Sequence, residues 1–164
     1  MTVKELRQIK AKFFEDKYKL VKWNEYKYRD LENIMYVRRA GRADNDTYAD
    51  AIIMADTETS KGAQKGIAEN HLCAFTISIR AYHENIVTLY GSRPSEFIKV
   101  LRKLKRYIDA DKIIIYFHNL SYDWVFLRKF IMAEYGTPVK LLATKSHFPI
   151  YIEFNCGIIL KDSL

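Results

Sequence analysis

The chain has 164 residues, 49% of them hydrophobic and 29% charged, with 27 Lys and Arg against 20 Asp and Glu, a formal net charge of +7. That length and balance exclude a disordered chain and a peptide too small for a core, and suit one folded domain with a possible appendage. No apolar run approaches the ~20 residues of a membrane span, and the start Met1-Thr2-Val3-Lys4-Glu5 lacks a secretory layout. A cytoplasmic protein is expected, in the host cytosol for a viral gene. The positive balance favours polyanionic partners, nucleic acid first.

Residues 1–50 are rich in Lys, Arg and Tyr and form a basic, aromatic extension distinct from residues 51–164. Val3, Leu6, Ile9 and Phe13 recur at helical spacing and predict a first helix over Val3 to Leu20. Between Leu20 and Arg39 the periodicity fits either a helix or a paired strand. Arg38, Arg39 and Arg42 lead into a polar loop at Ala43 to Thr47.

From Ala51 strands and helices mix. Ala51 to Ala55 is wholly apolar, as at the centre of a sheet covered on both faces. Lys61 to Asn70 is expected as a loop. Leu72 to Arg80 and Ile86 to Tyr90 are strands around a tight turn at Tyr82 to Asn85. A helix follows, capped by Ser92 or Ser95, with Phe97, Val100, Leu101, Leu104 and Ile108 as its stripe. Lys112 to Phe117 is a strand. Ser121 is placed as the cap of the next helix, which packs Trp124, Leu127, Phe130 or Ile131, and Tyr135, and stops at Gly136 and Pro138. Val139 to Ala143, Pro149 to Phe154 and Ile158 to Lys161 are further strands. This order gives an α/β fold: a ribonuclease H-like mixed sheet with flanking helices, plus an N-terminal helical extension. Cys73 and Cys156 lie in strand-like stretches and are expected as buried free thiols.

Two short motifs carry the chemistry. Asp56-Thr57-Glu58-Thr59 ends the first apolar strand, and Tyr116-Phe117-His118-Asn119-Leu120-Ser121-Tyr122-Asp123 ends the strand at Ile113. Alternate strand residues point the same way, so Asp56 and Glu58 share a face. Asp123 falls in the first turn of a helix, where negative charge is tolerated. Parallel neighbours would open both strand ends on one edge, where ligands bind in such sheets. Three acids meeting there suit Mg2+ or Mn2+, and two such ions about 4 Å apart can orient water and stabilise the leaving oxygen of a phosphodiester. Alternatively, Asp56 and Glu58 merely end a strand and Asp123 merely starts a helix. Asn119 could touch a nucleotide, position Asp123, or close a turn. Tyr116 and Tyr122 could stack on bases of a single strand or pack in the core. Thr59 could contact a substrate end. His118 and Asp123 also fit a His-x-x-x-x-Asp spacing used elsewhere for a general base and a metal ligand.

These two motifs resemble the first two exonuclease motifs of protein-primed family B DNA polymerases, and Asp162-Ser163-Leu164 resembles the start of a further single-strand-binding element. The resemblance covers about Ile52 to Leu164. It implies a proofreading 3′-to-5′ exonuclease acting on single-stranded DNA with two Mg2+ or Mn2+ ions. It makes Asp56, Glu58 and Asp123 the catalytic, metal-binding acids. Thr59, Asn119, Tyr122, Ser163 and Leu164 become the nucleic-acid contacts, with Tyr122 where Phe is usual. The family's last motif, Tyr-x-x-x-Asp, and a nearby catalytic Lys have no counterpart here, so a weak or inactive nuclease is expected unless Asp162 substitutes. The competing expectation is a protein that kept the fold and lost catalysis, binding nucleic acid or inhibiting a host or defence protein through its basic N-terminal region.

Overall fold

A computed structural model describes residues 19–39, 45–64, 67–146 and 148–163. Its centre is one eight-stranded mixed sheet. Strand β1 is Leu20–Lys22, β2 Tyr36–Arg38, β3 Thr47–Ala49, β4 Ile52–Gln64, β5 Ile67–Ala81 and β6 Glu84–Gly91. Helix α1 (Pro94–Tyr107), β7 (Ile113–Phe117), α2 (Leu120–Tyr135), β8 (Lys140–Lys145), β9 (Phe148–Glu153) and β10 (Ile158–Asp162) complete it. The sheet order is β1-β6-β5-β4-β7-β10-β9-β8, and β2 pairs with β3 as a separate hairpin. Within it, β4, β5 and β6 form an antiparallel meander, while β7 runs parallel to β4 and β10 parallel to β7. That is the ribonuclease H-like arrangement.

The core lies on one face. Ile53, Ala55, Ile77, Ile79, Leu89, Ile115, Phe117 and Leu160 point from the sheet into Phe97, Leu101 and Leu104 of α1 and Trp124, Leu127 and Ile131 of α2. Pro94 opens α1, whose first turn is closed by the Glu96 carboxylate accepting from the amides of Ser92 (2.9 Å) and Arg93 (3.2 Å). Neither serine caps it by side chain. Those amide bonds, the Ser92 amide first, hold the Glu96 carboxyl below its usual range. Arg102 of α1 and Glu134 of α2 form a two-pronged ion pair that joins the helices.

The opposite face is covered only in part. The β2–β3 hairpin presses the buried Tyr48 onto Ile114 and Ile159. Lys112 fastens this side by ion pairs to Asp46 (2.7 Å) and Glu153 (3.1 Å), and Asp111 accepts from the Thr47 amide and hydroxyl, both at 2.8 Å. Beyond the hairpin, Ile52 and Met54 of β4 are 55% and 46% exposed. The apolar run at Ala51 therefore belongs to a strand covered on one side, not both.

Other expectations shift as well. Lys61 to Asn70 is not a free loop, because β4 and β5 stay paired out to Gln64 opposite Ile67. Backbone pairing with a partner strand overrides the loop signal of glycine there. The helix expected over Val3 to Leu20 lies outside the described residues except at its end, where Leu20 opens β1 beside β6. The stretch from Leu20 to Arg39 resolves into β1, a 3-10 helix at Tyr28–Asn33 and β2, and its Tyr28, Leu31 and Ile34 join the core. Tyr82, in the β5–β6 turn at φ 53°, ties this stretch down: its hydroxyl donates to the Asn33 carbonyl (2.6 Å) and accepts from the Met35 amide (2.9 Å). Cys73 and Cys156 are free but not buried. No described helix is long and apolar enough to cross a membrane.

Candidate functional site

The β4 and β7 strands run parallel with Ala55 opposite Phe117. Their ends carry the two motifs, so both reach the same sheet edge. Leu120 to Asp123 then turn into α2 immediately beyond β7.

Two side-chain hydrogen bonds join the motifs. The Thr57 hydroxyl donates to Asp123 Oδ1 at 2.5 Å, and Thr59 and Tyr122 share a hydroxyl hydrogen bond of 2.6 Å. Thr57 and Thr59 are two residues apart and so face α2 together. Asp56 and Glu58 have the other parity and are exposed. Asp123 is only 3% exposed. Burial raises its carboxyl above the usual aspartate range; the Thr57 hydroxyl pulls it back, and the nearby Asp56 charge pushes it up. The site thus splits: two carboxylates on the open side of β4, a third behind it against Thr57.

That geometry bears on the expected metals. Among the described residues no group of three His, Cys, Asp or Glu is gathered to hold a metal ion. Asp123 engages Thr57 through Oδ1 alone, and the Asp56 charge lies close enough to raise its carboxyl.

A β-bulge sits at the same place. The β4–β5 register slips between Glu58 and Thr59, leaving Cys73 as the extra residue of β5, with its thiol donating to the Glu58 carbonyl at 3.3 Å. Bulges of this kind re-aim side chains beside functional edges.

Asn119 precedes α2, and its carbonyl accepts from the amides of Tyr122 (3.0 Å) and Asp123 (3.3 Å). Its side-chain oxygen accepts from the Ser121 hydroxyl at 2.8 Å. Ser121 therefore braces the turn without capping the helix. Tyr122 is 42% exposed and meets Phe126 edge-on at 5.2 Å. Ser163 continues β10 to the same edge, its amide donating to the Phe117 carbonyl at 2.8 Å. Leu164 lies outside the described residues.

Asp162 has a structural task here. Its carboxylate accepts from the Leu120 amide at 3.0 Å, closing the first turn of α2. A carboxylate at a helix start is favoured by the helix dipole, and here it anchors the helix that carries Asp123. Register explains it: Asp162 lies beside Phe117, three residues before Leu120. The sequence signal was the acid at the end of a strand parallel to β7.

The fold and this edge define a ribonuclease H-like α/β domain with an Asp-x-Glu strand end beside a helix-borne aspartate. No family model matches the chain, and no curated protein matches it. It is similar to a solved structure described as Phi29 DNA polymerase complexed with primer-template DNA and incoming nucleotide substrates (ternary complex), at 15% identity and a TM-score of 0.49, over 70% of this chain and 21% of that one. The chain spans about a fifth of that polymerase, and a likeness of this degree assigns no activity.

Proposed function

We propose that the chain is an exonuclease-like module of the protein-primed family B polymerase type, which engages single-stranded DNA and hydrolyses it weakly or not at all in the geometry described. The observation that carries this reading is the joining of the two motifs by the Thr57–Asp123 and Thr59–Tyr122 hydrogen bonds at one sheet edge. That edge collects Thr59, Asn119, Tyr122 and Ser163, which are groups suited to a strand end: hydroxyls, an amide, and an aromatic ring able to stack. The low activity follows from Asp123. A carboxylate tied to Thr57 through Oδ1 and shielded from solvent offers fewer free oxygens to a cation beside Asp56 and Glu58, so Mg2+ or Mn2+ is expected to bind weakly.

The test uses a 5′-labelled single strand with Mg2+ or Mn2+. The strand should be bound, and degradation should stay near background. Degradation at the pace of an intact proofreading domain, abolished by Asp56→Ala, would overturn the inactive part of the reading. Absence of any single-strand binding in low salt would overturn the rest. The second reading, a protein that acts on a host or defence enzyme through its basic N-terminal region, is supported only by the composition of residues 1–50. Partner binding that survives Asp56→Ala and falls when Arg38 and Arg39 are neutralised would favour it.

A further inference from the structure

On the open face of the sheet, away from the motif edge, a groove of about 590 Å3 runs between the β2–β3 hairpin and the β5–β6 turn. That volume falls within the range of ~300–1,000 Å3 typical of ligand clefts. Arg39, Arg80 and His83 line it, with Asp50 as the opposing carboxylate, and Tyr82 and Tyr116 supply aromatic rings. Arg39 lies over the Tyr48 ring at 4.4 Å, and Lys161 lies over Tyr116 at 5.7 Å. The floor includes Ile52 of β4, opposite Arg80 in register.

The parity of β4 links this groove to the acids. Ile52, Met54, Asp56 and Glu58 alternate with the buried Ile53, Ala55 and Thr57 and are all exposed. The groove and the two carboxylates therefore share one face. Four residues of strand at ~3.4 Å each separate Ile52 from Asp56 by about 14 Å. Cations and rings at one end and carboxylates at the other make a directional track: phosphates are drawn to the arginines, and bases can lie on the tyrosines and the apolar floor.

We propose that this groove is a second contact for single-stranded nucleic acid, holding the strand upstream of the end that reaches Asp56 and Glu58. The proposal rests on the reading of the chain as a single-strand-binding exonuclease-like module, and assigns Arg39 and Arg80 as its principal phosphate contacts. Nucleic acid is favoured over a protein partner by the gathering of Arg39 and Arg80 beside the exposed Tyr82 ring in a chain of net charge +7.

The experiment is fluorescence polarisation of a labelled oligothymidylate with the full chain in EDTA, so that cleavage plays no part. The combined variant Arg39→Gln, Arg80→Gln should bind about tenfold more weakly, and its log-affinity against log-salt slope should be shallower by about 1.4, two charges at ~0.7 each. Because Arg39 lies on Tyr48, Arg80→Gln alone is measured too, and it should retain the wild-type unfolding midpoint while losing about half of that slope change. Tyr122→Ala separates this proposal from the reading beneath it. If Tyr122→Ala weakens binding while both arginine variants bind as wild type, the strand is held at the motif edge and the groove proposal falls alone. If the wild-type chain does not bind the oligonucleotide, both fall.

Discussion

Thr57→Val should lower the stability of the chain by about 1.5–3 kcal/mol at neutral pH, the usual worth of a hydrogen bond to a charged group, and by much less in acid. The substitution keeps the volume of residue 57 and removes the one hydroxyl that Asp123 Oδ1 accepts from across the β4–α2 contact. The pH dependence follows from the direction of the Asp123 shift. Burial, with the Asp56 charge added, holds this carboxyl above its ordinary range, so the folded chain binds the proton more tightly than the unfolded chain does. The stability due to that proton is complete below the unfolded value of about 3.9 and is lost as pH rises through the raised folded value. Removing Thr57's hydroxyl raises the folded value further, and the loss falls on the neutral side. Asp123→Asn should act in the opposite sense. It removes the buried charge, keeps an oxygen for Thr57, and should raise the unfolding midpoint by about 2–4 °C near neutrality and change it little in acid. Denaturation curves at both pH values check the pair. A carboxylate kept where it costs stability is the pattern of a group retained for function.

Gly157→Ala should be the most damaging single-methyl change, at about 4 kcal/mol or more, a loss reserved for severe steric mechanisms. Gly157 turns the chain between β9 and β10 at φ 85°. A Cβ there would lie 1.9 Å from the Asp111 carbonyl oxygen. That carbonyl cannot withdraw, because Lys105 Nζ donates to it at 2.7 Å and Gly157's own carbonyl accepts from the Ile113 amide at 2.9 Å. Gly136→Ala supplies the comparison. It has φ 78° and ψ −160°, a region open essentially to glycine, but no atom within 4 Å of a built Cβ, so it should cost backbone strain alone, roughly 1–3 kcal/mol. A larger loss at Gly157 than at Gly136 reports the clash with the Asp111 carbonyl. Its consequence for the site is direct, since Gly157 sets β10 beside β7 and β10 carries Asp162 to the start of α2.

Much of this architecture was legible from composition and period. Seven of the sheet's eight strands, the amphipathic stripe of α1 and the Trp124–Leu127–Ile131 stripe of α2 are all written in local spacing. What local spacing lacks is knowledge of partners. The run at Ala51 is as apolar as a doubly covered strand, yet Ile52 and Met54 are exposed, because the hairpin that covers this face stops at Tyr48. The extension of β4 and β5 past Glu58 depends on cross-strand pairing, which the glycines at 62 and 66 obscure. The cap that Asp162 gives α2 depends on the register between β10 and β7, and no single segment encodes that. One signal at the site was present and decisive. The two-residue period that puts Asp56 and Glu58 together also puts Thr57 on the opposite face, where α2 delivers Asp123. Parity sends Thr57 to the helix side, while the Asp56 charge still reaches Asp123.

The position of Asp123 is therefore what the account depends on, and diffraction from crystals soaked in Mn2+ with an anomalous difference map tests it most directly. The account predicts Asp123 Oδ1 still bonded to the Thr57 hydroxyl, with no manganese peak at coordinating distance from it. A map showing paired manganese ions ligated by Asp56, Glu58 and Asp123 together would contradict it.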